Sequence, residues 1–259
     1  MGVAGRIAAV VGTVLLAVCL VGGGYAVVAM TDGPTVLLST AFSGNDNPHT
    51  PFSKDELVSM AVAGKRYSFD DNDRAALDAV QRSINEAAAA DGRAGEGAPD
   101  FAESSGSADA ALASADEAYV LTPDALSHLD DCYAVASTAR TVLLACLIGA
   151  VVCLALAGAT GGRRRVGAMA VAAGSAVLAI FLALGLWAAL DFGGLFAAFH
   201  GLFFTAGTWT FSWESLLITM YPIAFWMGMG AIWVGVTALL SALAIACGAL
   251  LRRRAKPAR

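Results

Sequence analysis

Apolar positions fall into four long unbroken runs, separated by two segments in which polar and apolar residues are mixed. The runs extend from about Ile7 to Met30, Thr141 to Thr160, Val166 to Leu190 and Ile223 to Leu251. A helix needs roughly 20 apolar residues to cross the hydrocarbon core of a bilayer. The pattern therefore predicts a mainly α fold, a polytopic membrane protein with four transmembrane helices.

The larger mixed segment, 31–140, carries short helical signals. Ser53 and Glu56 have the spacing of a capping box ahead of Leu57, Met60 and Ala61. Asp70, Asp71 and Asp73 precede Leu77, Val80 and Ile84, which share one face of a second helix. These acids suit a helix start, where the macrodipole favours negative charge. They do not suit a calcium loop begun at Asp71, because the closing position is Arg82 rather than a Glu. From about 87 to 118 the composition collapses to Ala, Gly, Ser, Asp and Glu, with Phe101 nearly the only large apolar side chain. That composition predicts a mobile insertion, because it offers little apolar surface to offset the entropy of ordering. A further helix is expected to start at Thr122 or Asp124, with Pro123 in its first turn, and to run straight into the second span.

Composition strengthens the membrane reading. Of 259 residues, 58% are hydrophobic, and the mean hydropathy is +0.67. Charge adds orientation, because basic flanks resist translocation. Arg6 precedes the first span, Arg163, Arg164 and Arg165 fill the link between the second and third, and Arg252, Arg253, Arg254, Lys256 and Arg259 follow the fourth. Every Asp and Glu lies in the two mixed segments. Both termini are thus expected to be cytoplasmic and the mixed segments to be outside.

The predicted layout is a first transmembrane helix over 1–30 and a small extracytoplasmic cap over 31–140. The second and third helices follow over 141–190, then an outer interfacial loop over 191–222, and the fourth helix with its basic tail over 223–259. Arg6 ahead of an apolar core resembles a signal peptide, but the run exceeds an ordinary h-region and no A-x-A site closes it, so an uncleaved anchor is expected. No basic patch interleaved with aromatics supports a nucleic-acid partner. Cys146, Cys153 and Cys247 fall inside spans, Cys19 follows a poor lipobox, and Cys132 is the one thiol expected outside, so no disulfide or metal framework is implied. The spans hold no acid or base that would line a transport pathway.

Candidate chemistry narrows to the outer segments. His49 lies in NPHTP, the composition of an exposed turn. His128 and Asp131 are three residues apart and share a helix face, with Cys132 beside them. The helical rise would put His128 roughly 15 to 20 Å above the start of its apolar run unless 133–140 is also embedded. His200 follows the third span, nine residues after Asp191, within an aromatic stretch from Phe199 to Trp226. Histidine is the side chain best poised to exchange protons near neutral pH. Trp209, Trp213, Tyr221 and Trp226 read mainly as interfacial anchors, and Pro222 as the start of the fourth span.

The segment from Asp191 to Trp226 also resembles a known pattern. An acid and Phe (Asp191, Phe192) precede Phe199 and His200. Phe204, a Gly-x-Trp-x-Phe turn (Gly207, Trp209, Phe211), Leu217, Ile218, Pro222, Phe225 and Trp226 follow. This is similar to the integral membrane family that includes the lipoprotein intramolecular transacylase, Lit. His128 with Asp131 ahead of the second span resembles that family's second signature. Cys132 and Tyr133 depart from it, since the family usually continues with Val and a basic residue, and the Ala/Gly/Ser-rich insertion is foreign to compact members.

The resemblance implies an acyltransferase. It would move the sn-2 acyl chain of a diacylglyceryl lipoprotein to the α-amine of its N-terminal cysteine, with no cofactor and no metal. It implies His128 and His200 as a catalytic pair, with Asp131, Asp191 and Trp209 in support. Membrane lipid and diacylated lipoprotein would be the partners. The place would be a bacterial-type plasma membrane, multi-pass, with the active face extracytoplasmic. The alternative is a non-catalytic membrane scaffold or assembly partner, for which the two histidines need not meet.

Overall fold

The computed structural model describes residues 3–100 and 108–254. Phe101, Lys256 and Arg259 lie outside the described residues. All described elements are helical: α1 (Val3–Met30), α2 (Gly33–Phe42), α3 (Lys54–Phe69), α4 (Arg74–Ala90), α5 (Ala108–Ala113), α6 (Pro123–Leu190), α7 (Phe192–His200), α8 (Leu216–Met220) and α9 (Ile223–Arg254). Among them α1, α6 and α9 are long and apolar enough to cross a membrane. The 68-residue α6 is broken at Gly162, whose φ of 63° and ψ of −171° are non-helical. A side chain would be strained in that conformation. Arg163, Arg164 and Arg165 are therefore helical residues just past a break, where the sequence predicts a link.

Contacts divide the chain into two compact units: an apolar unit of residues 1–27, 138–196 and 231–259, and a polar unit of 28–137 and 197–230. In the apolar unit Leu20, Ala173, Val177 and Phe181 form a core, against which Leu16, Val21, Trp233 and Leu240 pack. Small residues allow the close approaches. A Cβ on Gly24 would lie 2.2 Å from Thr237 Oγ1 and 2.8 Å from the Trp233 carbonyl, and one on Gly167 would lie 2.4 Å from the Gly248 carbonyl. Close backbone contact at Gly is how helices gain packing where lipid removes the hydrophobic driving force between them.

The polar unit centres on α3, which packs against α2, α4 and α8. Its start is the predicted capping box: Ser53 and Glu56 satisfy each other's backbone N–H groups. Asp73 caps α4 by accepting from Ala76 N–H at 3.1 Å, and Thr122 Oγ1 accepts from Ala125 N–H at 3.2 Å at the start of α6. Leu57, Met60, Leu77, Leu216, Met220 and Phe225 form the buried interior. Buried Lys65 reaches Asp70 at 2.8 Å and Asp32 at 3.3 Å, and Asp32 also takes the Arg66 guanidinium, tying α3 to the end of α1. The Arg66 hydrogen bond is the main cause holding the Asp32 carboxyl below the usual carboxylate range.

Composition predicts a mobile insertion over 87–118; most of its described residues are exposed, but some points of it are tied to the rest of the unit. Ala88, Ala111 and Leu112 are buried. The Arg93 guanidinium bonds both Glu56 carboxylate oxygens at 2.8 Å and the Pro51 carbonyl. Gly95 N–H donates to Tyr119 Oη at 2.8 Å, and Asp116 N–H to the Gly97 carbonyl at 2.8 Å. Glu56, Pro51 and Tyr119 lie outside the stretch, so its own composition does not reveal these ties.

Candidate functional site

Both site histidines belong to the polar unit. His128 stands in the second turn of α6, a helix start positioned by its neighbour Asp130. The Asp130 carboxylate accepts from Tyr67 Oη at 2.5 Å and from Asn72 Nδ2 at 3.2 Å, joining α6 to the link between α3 and α4. Asn72 has a φ of 56°, a left-handed conformation that Asn tolerates better than most residues. His200 ends α7, and its carbonyl accepts from Phe203 and Phe204 N–H at 3.0 and 2.9 Å. The chain turns there into the 201–215 loop, passing Gly207 with a φ of 91°.

That loop is pinned at its far end. Leu216 N–H donates to the Glu117 carbonyl at 2.7 Å, and Gly44 N–H to the Thr219 carbonyl at 2.8 Å. Ser43 Oγ donates to the Met220 carbonyl at 2.6 Å, and Asn47 Nδ2 to Thr219 Oγ1 at 2.9 Å. Tyr221 Oη donates to the Ala61 carbonyl at 2.5 Å. Gly64 makes room for this approach, since a Cβ there would be 3.0 Å from Tyr221 Oη. Tyr221 is therefore a buried bolt between α3 and α8 rather than the interfacial anchor that its aromatic neighbourhood predicts. Desolvation by burial is the main cause that pushes its hydroxyl above the ordinary tyrosine value.

These constraints bring the two imidazoles into a stack, with ring centroids 6.3 Å apart and planes 27° from parallel. Aromatics enclose the pair. Phe204 meets His128 edge-on at 4.8 Å, Phe211 lies 5.7 Å from the same ring, and Trp209 lies 4.7 Å from His200 at 34°. His200 is buried and His128 half-buried. Burial, followed by the neighbouring His200, lowers the His128 pKa to about 4, with Asp131 acting weakly the other way. The ring is thus neutral through the physiological range. A neutral imidazole can accept a proton at one ring nitrogen and donate one from the other.

The supporting acids divide. Asp131 is exposed and reaches His128 only through its charge. Asp191, also exposed, accepts from Gly194 N–H at 2.8 Å at the start of α7. The polar side chain whose contact with His128 is closest is Cys132, with Sγ 3.6 Å from Nε2. The helical interval of four residues is the sequence signal for that contact. A cavity of about 160 Å³ lined by Asn47, Trp213, Thr219 and Pro222 lies beside α8 and includes neither histidine. His49 is exposed. Among the described residues no cluster of three or more His, Cys, Asp or Glu is arranged to hold a metal ion.

The family model described as "Lipoprotein intramolecular transacylase Lit" matches residues 106–226, a span containing His128, His200, Trp209 and Tyr221. The in meso structure of the membrane integral lipoprotein intramolecular transacylase Lit from Bacillus cereus is 15% identical, with a TM-score of 0.71 over 98% of this chain and 98% of that one. A structure of the same Bacillus cereus protein with a histidine-to-arginine mutation gives 15% identity and a TM-score of 0.63 over 96% of this chain and 92% of that one. At this identity the likeness establishes the fold. No curated protein matches the chain.

Proposed function

We propose that this chain, whose residues 106–226 match the Lit family model, is an intramolecular O-to-N transacylase of diacylated lipoproteins. The substrate carries an N-terminal cysteine bearing a thioether-linked diacylglyceryl group. Its α-amine attacks the sn-2 ester carbonyl; a C–N bond forms and the glyceryl C–O bond breaks. The proton lost by the amine passes to an imidazole and is returned to the departing glyceryl oxygen, giving an N-acyl, lyso-glyceryl product. Atoms balance within one substrate, without a co-reactant.

The observation that carries this reading is the stacked His128–His200 pair at 6.3 Å inside an aromatic enclosure. Two groups acting on one tetrahedral centre each need hydrogen-bond reach of about 3 Å, which neighbouring imidazoles supply. One serves as general acid/base and the other supports the oxyanion. Amine and ester already share a molecule, so holding them face to face supplies much of the acceleration. The aromatic rings give acyl chains an apolar seat. Asp131 tunes His128 through charge. Asp191 acts as a positioning residue by capping α7, the helix that ends in His200.

We place the chain in a bacterial-type plasma membrane with four spans, α6 supplying two of them on either side of Gly162. Both termini are cytoplasmic and the histidines outside, as the distribution of Arg and Lys favours.

The test is conversion of a diacylated lipoprotein in a membrane containing the full chain, read by mass spectrometry of its N-terminal peptide. The wild type should yield the N-acyl, lyso-glyceryl form. His128→Ala and His200→Ala should each reduce conversion by about 10²-fold or more. Undiminished conversion by both folded variants would remove the histidines from the mechanism, and no conversion by the wild type would favour a scaffold.

A further inference from the structure

The two histidines are not equivalent, and the difference lies in Cys132. Of the groups facing His128, His200 stacks across from it, Phe204 and Phe211 flank it, Asp131 is exposed on the same helix, and Cys132 meets a ring nitrogen, with Sγ 3.6 Å from Nε2. The other nitrogen, Nδ1, is buried and finds no hydrogen-bond partner among the described residues. One imidazole nitrogen is thus already committed to the protein, and the other is a buried donor or acceptor that the protein leaves unsatisfied.

Which nitrogen carries the proton follows from the chemistry of the pair. Burial, and secondarily Asp131, pushes the Cys132 thiol up to about 12, while burial lowers His128 to about 4. Thiol and imidazole are then both neutral, and the contact holds a single proton. An unprotonated imidazole nitrogen is a strong acceptor, whereas a thiol sulfur is a weak one. The S–H···Nε2 arrangement is therefore favoured over N–H···S, and it leaves the ring proton on Nδ1.

We infer that Cys132 is a positioning residue that holds His128 in the Nδ1–H tautomer, so that His128 is the neutral oxyanion donor and His200 the base. This rests on the transacylase reading and removes its symmetry. The amine proton goes to His200 and from there to the glyceryl oxygen, while His128 keeps its Nδ1 proton throughout and lends only a hydrogen bond. A neutral imidazole whose pKa is lowered so that it polarises a carbonyl without protonating it is an established catalytic device.

The experiment uses the full chain labelled with ¹⁵N-histidine in lipid nanodiscs, with His128 assigned by its loss in His128→Gln. At neutral pH the wild type should show a protonated Nδ1 and a bare Nε2, and this state should persist to about pH 5, since histidine titrates near 6.5 only when unperturbed. Cys132→Ala, which removes the donor with little change in shape, should give a mixture of tautomers. Cys132→Ser, which restores an O–H donor, should return the wild-type pattern. On a diacylated lipopeptide, Cys132→Ala should lower kcat about tenfold with KM unchanged. That is less than the roughly 10²–10³ lost when an oxyanion donor is removed outright, because part of the population keeps the correct tautomer. Cys132→Ser should recover the rate.

A wild-type His128 protonated on Nε2, or a Cys132→Ala variant with unchanged tautomer and kcat, overturns the inference while leaving transacylation intact. A wild type with the expected tautomer that makes no N-acyl product overturns the function instead. Should Cys132→Ala fail to fold, Cys132→Val replaces it on the same criteria.

Discussion

The apolar unit and the polar unit are held together by opposite means. In the apolar unit, packing depends on small residues at close approaches, such as Gly24 against Thr237 and Gly167 against Gly248. A cross-helix side-chain hydrogen bond there joins Trp233 Nε1 to the Val21 carbonyl at 3.1 Å. In the polar unit, the same task falls to caps, ion pairs and side chains reaching backbone carbonyls far away in sequence. A bilayer offers no water to rescue a polar group that loses its partner, so lipid-exposed helices keep their hydrogen bonds internal. The lesson concerns placement of chemistry: two half-buried or buried imidazoles need a region that can supply polar scaffolding, and both stand in the polar unit.

The sharpest way to break this comparison is to enlarge a packing glycine. Gly167→Leu should abolish folding, because its Cβ would lie 2.4 Å from a backbone oxygen that cannot rotate away. Gly185→Leu, in the same unit but with nothing within 4 Å of its Cβ, should fold normally. Size-exclusion profiles and thermal unfolding in detergent check both, and equal tolerance would refute small-residue packing as the organising contact.

A smaller effect is expected in the interior of the polar unit. Phe225→Ala, at a site only 1% exposed, should destabilise by about 3–5 kcal/mol, through lost transfer energy and a residual cavity. Tyr221→Phe keeps the ring but removes its hydrogen bond to the Ala61 carbonyl, and should cost about 1 kcal/mol. Denaturant melts of the two variants separate packing from polar scaffolding; a Tyr221→Phe loss as large as that of Phe225→Ala would show that the bolt outweighs the core.

The smallest effect concerns the capping box. Ser53→Ala should cost about 1 kcal/mol by freeing an N-terminal N–H of α3. The Arg93 hydrogen bond is the main cause holding Glu56 below the usual carboxylate range. Because its folded pKa is depressed, the stability Glu56 contributes is fully present above its unfolded value of about 4.3 and is lost as pH falls through the folded value. Melts below pH 4.5 should therefore show an acid-sensitive component in the wild type that Glu56→Gln lacks. An identical acid limb in both would assign that sensitivity to another carboxylate.

Features written in neighbouring residues were readable in advance. Unbroken apolar runs marked the long helices, the Ser53–Glu56 spacing marked the start of α3, Asp73 marked α4, and Thr122 with Pro123 marked α6. Each depends on contacts within about one helical turn, where residue type and spacing decide the outcome. Features that depend on distant partners were not readable. Tyr221 looked interfacial because its partner, the Ala61 carbonyl, is 160 residues away. The ties of Arg93 to Glu56 and of Gly95 to Tyr119 are not legible in the composition of 87–118, because both partners lie outside it. The Cys132–His128 contact is the local exception, since four residues of helix place the thiol against the ring.

By itself the sequence determined the membrane class and the helical character of the described residues, since hydropathy and capping are local properties. Only the tertiary structure decided that His128 and His200, 72 positions apart, stack at 6.3 Å. That meeting depends on how α6, α7 and the 201–215 loop are held by Asp130, Ser43, Gly44 and Tyr221. No periodicity along the chain carries such information, because close contact between distant segments is a property of their combined packing.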